Sequence, residues 1–165
     1  MENRTITVFG FSKSYSMTGW RVGYAVANDK IVEEMNKIQE FYVTCASSIS
    51  QRAALAALEG GIKSVEEMVT KLQERRDFLH KALCKHELIH STKPAGAFYL
   101  FPNISKFGVS SMEAAKFLYE KAGVVTVPGK AFGEHGDQYL RLSFAKPKAD
   151  LEIAVDRIHS ALGQL

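Results

Sequence analysis

An α/β fold is the expectation for this 165-residue chain, and three features carry it. Strand-like and helix-like segments alternate early, short strands recur between helices in the second half, and cap residues and glycines punctuate the helices. At 46% hydrophobic residues the chain can build a buried core.

Residues 5–12 alternate as a strand, and residues 19–27 form a second one rich in aromatic and branched side chains. Asp29 caps a helix whose Ile31, Val32, Met35, Ile38, Phe41 and Tyr42 recur at helical spacing. An alanine-rich helix over 48–59 stops at Gly60-Gly61, its alanines suited to close packing or an interface. Ser64 and Glu67 form an S-x-x-E capping box ahead of a long helix, with Val65, Met68, Val69, Leu72, Leu79 and Leu83 as its apolar stripe. That length suits a connector between two lobes.

After Pro94, residues 96–101 read as a strand. Ser110 and Glu113 form a second capping box, opening a helix that ends at Gly123. Residues 124–127 form a short strand, and Pro128-Gly129 a turn. Residues 139–144 alternate, with Leu140, Leu142 and Phe144 on one face and Tyr139, Arg141 and Ser143 on the other. The last helix, from about Asp150, buries Leu151, Val155, Ile158 and Leu162.

Composition excludes several classes. A formal charge of +3, from 21 basic and 18 acidic residues, is small and scattered, and no basic stripe with interleaved aromatics marks a nucleic-acid binder. No apolar run is long enough to span a membrane. The first residues lack a signal-peptide pattern, and two cysteines are too few for a disulfide framework, so a reduced cytoplasmic setting is expected. The opening on a strand pattern within a few residues of Met1 suggests that something precedes it. His80, Cys84, His86 and His90 lack any metal-finger spacing, and no metal site is expected. Cys45 has no nearby base and reads as packing.

The chemistry centres on residues 10–23, Gly-Phe-Ser-Lys-Ser-Tyr-Ser-Met-Thr-Gly-Trp-Arg-Val-Gly. A lone lysine at a strand end is ordinarily a solvated cap. Here Lys13 has Phe9, Phe11, Met17 and Trp20 as neighbours, an apolar set that would disfavour its ammonium form and leave the amine nucleophilic. Arg21, eight positions on, offers a fixed charge and a donor fork suited to phosphate.

This segment resembles the cofactor-attachment signature of class I/II aminotransferases, the fold type I enzymes that use pyridoxal 5'-phosphate (PLP). The resemblance implies that Lys13 is the Schiff-base lysine, that it shuttles the proton at the substrate α-carbon, and that Arg21 binds the cofactor phosphate. At Gly10 some members carry a hydroxyl residue on the phosphate, a contact glycine can replace only with its backbone N–H. Downstream, residues 96–102, 127–133 and 139–144 resemble, in order, the family's small-domain strand, the loop after it and the strand of the carboxylate arginine. Arg141 is thereby implied to grip the substrate α-carboxylate.

The resemblance covers the C-terminal portion of such an enzyme: residues 1–63 as the end of the large PLP-binding domain, and 64–165 as connector helix and small α+β domain. It implies amino transfer from an amino acid to a 2-oxo acid, aspartate being a common substrate in the family, and a homodimer. In the family the stacking aromatic, the ring-nitrogen aspartate, the asparagine at the ring oxygen and a phosphate-binding helix N-terminus lie upstream of the lysine. No counterpart occurs here, so the chain alone is expected to be inactive. The alternatives are a non-catalytic aminotransferase-like binding or regulatory module and a PLP-dependent lyase on the same scaffold.

Overall fold

The computed structural model describes residues 2–163 and divides into two compact units, Met1–Met68 and Val69–Leu165. In the first unit, β1 (Thr7–Gly10) pairs antiparallel with β2 (Gly23–Val26), Phe9 facing Tyr24 and Gly10 facing Gly23. Both strands are shorter than the sequence patterns suggest. The first ends at Gly10 because the chain turns at once into α1 (Phe11–Ser14), and the second is preceded by a 3-10 turn at Thr18–Trp20. The close pairing needs Gly23, where a Cβ would meet the Phe9 carbonyl at 2.6 Å.

Helix α2 (Asp29–Val43) is capped by Asn28, whose side chain accepts from the Ile31 N–H; Asp29 is its first residue, not its cap. Its apolar residues are not buried: Phe41 is 94% exposed and Tyr42 85%. Helix α3 (Ser48–Glu59) does use its alanines, packing Ala54 with Phe11 and Met17 in a small core flanked by Ala53 and Ala57. Helix α4 (Lys63–Leu83) starts one residue before Ser64, on the Ile62 carbonyl, which accepts from the N–H groups of Val65 and Glu66. Ser64 therefore lies within the first turn and does not cap it.

The second unit holds a three-stranded antiparallel sheet in the order β3-β5-β4, from β3 (Tyr99–Leu100), β4 (Val127–Pro128) and β5 (Leu140–Ser143). β3 and β4 are only two residues long; Gly96 and Ala97 form a bend, Ala97 at φ 59°, so the strand expected from residue 96 begins at Tyr99. The β3–β5 register continues to a bridge between Asn103 and Tyr139. The sheet's inner face and the helices α5 (Ser111–Phe117) and α6 (Lys148–Leu162) enclose a core that includes Leu79, Leu83, Leu100, Ile104, Leu140, Phe144 and Ile158. Each such large side chain contributes about 1.5–3 kcal/mol on burial.

The capping box at Ser110 and Glu113 forms as the sequence suggests. Beyond α5 the chain continues as a π-helical turn, Leu118–Ala122, and stops at Gly123 in the left-handed conformation, φ 62°. Helix α6 buries Leu151, Val155, Ile158 and Leu162, the expected stripe. No helix among the described residues is long and apolar enough to cross a membrane.

Candidate active site

Lys13 sits on α1, a single turn that follows β1 in the connection to β2. Phe11, buried beneath it, fixes the turn: its carbonyl accepts from the N–H groups of Tyr15 and Met17, and its own N–H donates to the Val22 carbonyl. Lys13 is exposed within the chain, as is Arg21. The apolar setting expected for Lys13 is not built as the sequence suggested. Phe11 and Met17 turn inward to the core with Ala54, while Phe9 and Trp20 remain 44% exposed.

Arg21 adopts the left-handed conformation, φ 50°, uncommon for a residue with a Cβ. This closes the 3-10 turn and lets its Nη1 donate to the Thr18 carbonyl at 3.1 Å. One corner of the guanidinium is thus tied to its own loop, and its other N–H groups take no part in that bond. The loop from Phe11 to Val22 therefore carries an amine, a guanidinium and the hydroxyls of Ser12, Ser14, Ser16 and Thr18. That donor set fits the aldehyde and phosphate ends of a phosphorylated aldehyde. The loop carries no carboxylate to pair with a ring nitrogen. A separate cleft of about 610 Å³, lined by Val8, Tyr24, Met35, Gln39 and Cys45 among others, includes neither Lys13 nor Arg21.

In the second unit Arg141 occupies the middle strand of the sheet, paired with Val127. The alternation of β5 turns it away from the core face of Leu140 and Phe144, leaving it half-buried. Its guanidinium carbon lies 4.4 Å from the centre of the Tyr99 ring and 4.8 Å from that of Phe132. Phe101 stacks on Tyr139 at 4.9 Å and meets Phe132 edge-on. No acidic side chain forms an ion pair with Arg141 among the described residues. A half-buried guanidinium with aromatic neighbours and no internal anion is chemically prepared for a carboxylate from outside.

These aromatic neighbours were not singled out in the sequence. Tyr99 and Phe101 share the sheet face of Arg141, which alternation could have shown. Phe132 arrives through a loop whose path depends on tertiary bonds. His80 and Cys84 both reach toward the Ser91 carbonyl, at 2.9 Å and 4.0 Å, an ordinary packing arrangement. Among the described residues no group of three His, Cys, Asp or Glu side chains is placed to hold a metal.

A family model described as aminotransferase class I and II matches residues 1–158. The chain belongs to this aminotransferase family. It is 42% identical over 159 residues to a probable aspartate aminotransferase of Methanocaldococcus jannaschii, covering 93% of this chain and 41% of the relative. It is 43% identical over 164 residues to aromatic-amino-acid aminotransferase 2 of Thermococcus litoralis, covering 98% and 42%. Among solved structures, an aromatic aminotransferase from Pyrococcus horikoshii superposes with a TM-score of 0.93 at 41% identity, over 99% of this chain and 44% of that one. The aspartate aminotransferase of Rhizobium meliloti gives 0.89 at 36% identity, over 97% and 42%. The α/β chain thus has the architecture of part of an aminotransferase, and it spans about two fifths of the length of the curated relatives it matches.

Proposed function

We propose that this aminotransferase-family chain supplies the C-terminal part of a PLP-dependent enzyme that moves an amino group from an amino acid to a 2-oxo acid. Residues 1–63 complete the large cofactor domain in this reading, and residues 64–165 form the connector and small domain. The observation that carries it is the loop between β1 and β2, which carries both Lys13 and Arg21 within a chain of this family.

Lys13 would hold the aldehyde end of PLP through its amine, and Arg21 would hold the phosphate through the donors not used on the Thr18 carbonyl. When bound, PLP supplies the electron sink for the carbanion at the substrate α-carbon. The amine of Lys13 would take and return the proton at the substrate α-carbon. Arg141 orients the substrate by pairing its fork with the α-carboxylate. The chain would work in the cytoplasm as part of a homodimer, with aspartate among the candidate substrates of an enzyme related to aspartate and aromatic aminotransferases.

The test is an absorbance titration of the chain with PLP, followed by an amino-transfer assay. A band near the visible edge that is missing in Lys13→Ala supports the reading. No band in the parent sequence would sink it. Lys13-dependent turnover by the chain alone would show that no further segment is required.

A further inference from the structure

We propose that Tyr99 and Phe132 are positioning residues that hold the Arg141 guanidinium between two aromatic rings, and that the segment 129–138 is a pinned strap delivering Phe132 to it. A free arginine side chain samples many rotamers, and fixing one costs entropy at the moment of binding. A guanidinium already resting on two rings has had that cost met in folding. Both rings lie against the guanidinium carbon, and a cation held over ring faces keeps its N–H edge for a planar carboxylate.

The two contacts come from different sources. Tyr99 lies on β3, facing Ser143, one pleat along from Arg141 on the same sheet face. Phe132 stands outside the sheet, at the end of a 3-10 turn spanning Gly129–Phe132. That turn is held by a polar knot around Ser111. Asp137 Oδ1 accepts from both the N–H and the hydroxyl of Ser111, at 3.0 and 2.8 Å, and Oδ2 pairs with Lys130 Nζ at 3.4 Å. The Ser111 hydroxyl in turn accepts from the Lys130 N–H at 3.3 Å. Ser111 is fully buried.

The strap is also closed by glycine contacts. Gly129 and Gly136 pack backbone to backbone so closely that a Cβ on either would collide with the carbonyl of the other. The Gly129 N–H donates to the Tyr139 carbonyl at 2.8 Å, tying the strap to the residue two before Arg141. An ordinary surface loop would not need this much fixation. Its one product facing Arg141 is the ring of Phe132, which remains 54% exposed and so contributes little to the core.

The carboxylate part of the inference rests on the reading of Arg141 given above, so the experiment separates the two. With arginine-labelled full chain, the Nε–H resonance of Arg141 is assigned by its loss in Arg141→Lys. Protons over ring faces move upfield, so the expected signal lies upfield of free arginine. Phe132→Leu and Tyr99→Leu should each reverse part of that shift, while Phe132→Tyr restores it. Tyr119→Leu, which removes an exposed ring on another element, should leave it unchanged. Titration with acetate should then show binding weakened about three- to tenfold in Phe132→Leu and recovered in Phe132→Tyr. An Arg141 signal at the free-arginine position, or equal acetate binding in Phe132→Leu and the parent, overturns the clamp. Acetate that ignores Arg141 in the parent chain overturns the carboxylate role instead, and the ring shift still decides the clamp. Should Phe132→Leu fail to fold, Tyr99→Leu and Phe132→Tyr decide the clamp by the same shift.

Discussion

At the scale of single residues, the chain offers two arginines whose surroundings set different tasks. Arg21 is bent into the left-handed region, and one corner of its guanidinium is bonded to the Thr18 carbonyl of the loop that also carries Lys13. Replacing Arg21 with asparagine, which tolerates that backbone, should keep the loop and, under the proposed function, remove the phosphate partner. PLP titration should then show affinity reduced by about 1.5–3 kcal/mol, the range for hydrogen bonds to charged groups. Arg141 differs in that Tyr99 and Phe132 lie against its guanidinium and no acidic side chain among the described residues pairs with it. Arg141→Lys preserves charge and loses the planar fork, and carboxylate binding should fall about tenfold in a titration followed by calorimetry.

At the scale of elements, helix ends and the strap carry the expectations. Ser110 closes α5 by a reciprocal bond with Glu113, so Ser110→Ala should lower stability by about 1 kcal/mol in urea unfolding. Gly136→Ala should do more, because its methyl would have to displace the Gly129 backbone. Acid should loosen the strap and, separately, the ion pairs of Asp77 on α4. The hydroxyl and N–H of Ser111, with Lys130, hold Asp137 below the ordinary aspartate value of 3.8. Bonds from Arg76 and Lys93 hold Asp77 down at about 2. Both groups bind protons more readily unfolded than folded. Their stabilisation is therefore complete above the ordinary value and lost as pH falls through the lower folded one. Melting curves recorded from about pH 5 to about pH 2 should show this loss, and Asp137→Asn should flatten part of it.

At the scale of the whole molecule, the two units differ in how much they bury. The second has a continuous core, whose Leu100 is wholly buried, so Leu100→Ala should cost about 2–5 kcal/mol. The first rests on Phe11, Met17 and Ala54, while both strands and Ile38, Phe41, Tyr42 and Val43 of α2 lie exposed. Amide exchange should therefore be faster throughout β1, β2 and α2 than in β5 and α6. A first unit as protected as the second would mean that its exposed apolar faces are covered in solution.

The sequence by itself determined those things that depend on local chemistry and period. The capping box at Ser110, the stops at Gly60 and Gly123, the alternation of β5 and the stripe of α6 all follow from neighbours within a few residues. So does the place of the chain in its family, because residues 10–23 are contiguous and the later motifs recur in order. Tertiary structure decided the rest. It cut β1 at Gly10, since Phe11 is drawn into a core with Ala54 that is distant in sequence. It left the second half of α2, with Ile38, Phe41 and Tyr42, exposed, which helical spacing alone cannot reveal. And it brought Phe132 to Arg141, because a strap held by Asp137 and Ser111, 26 positions apart, has no signature in any local window.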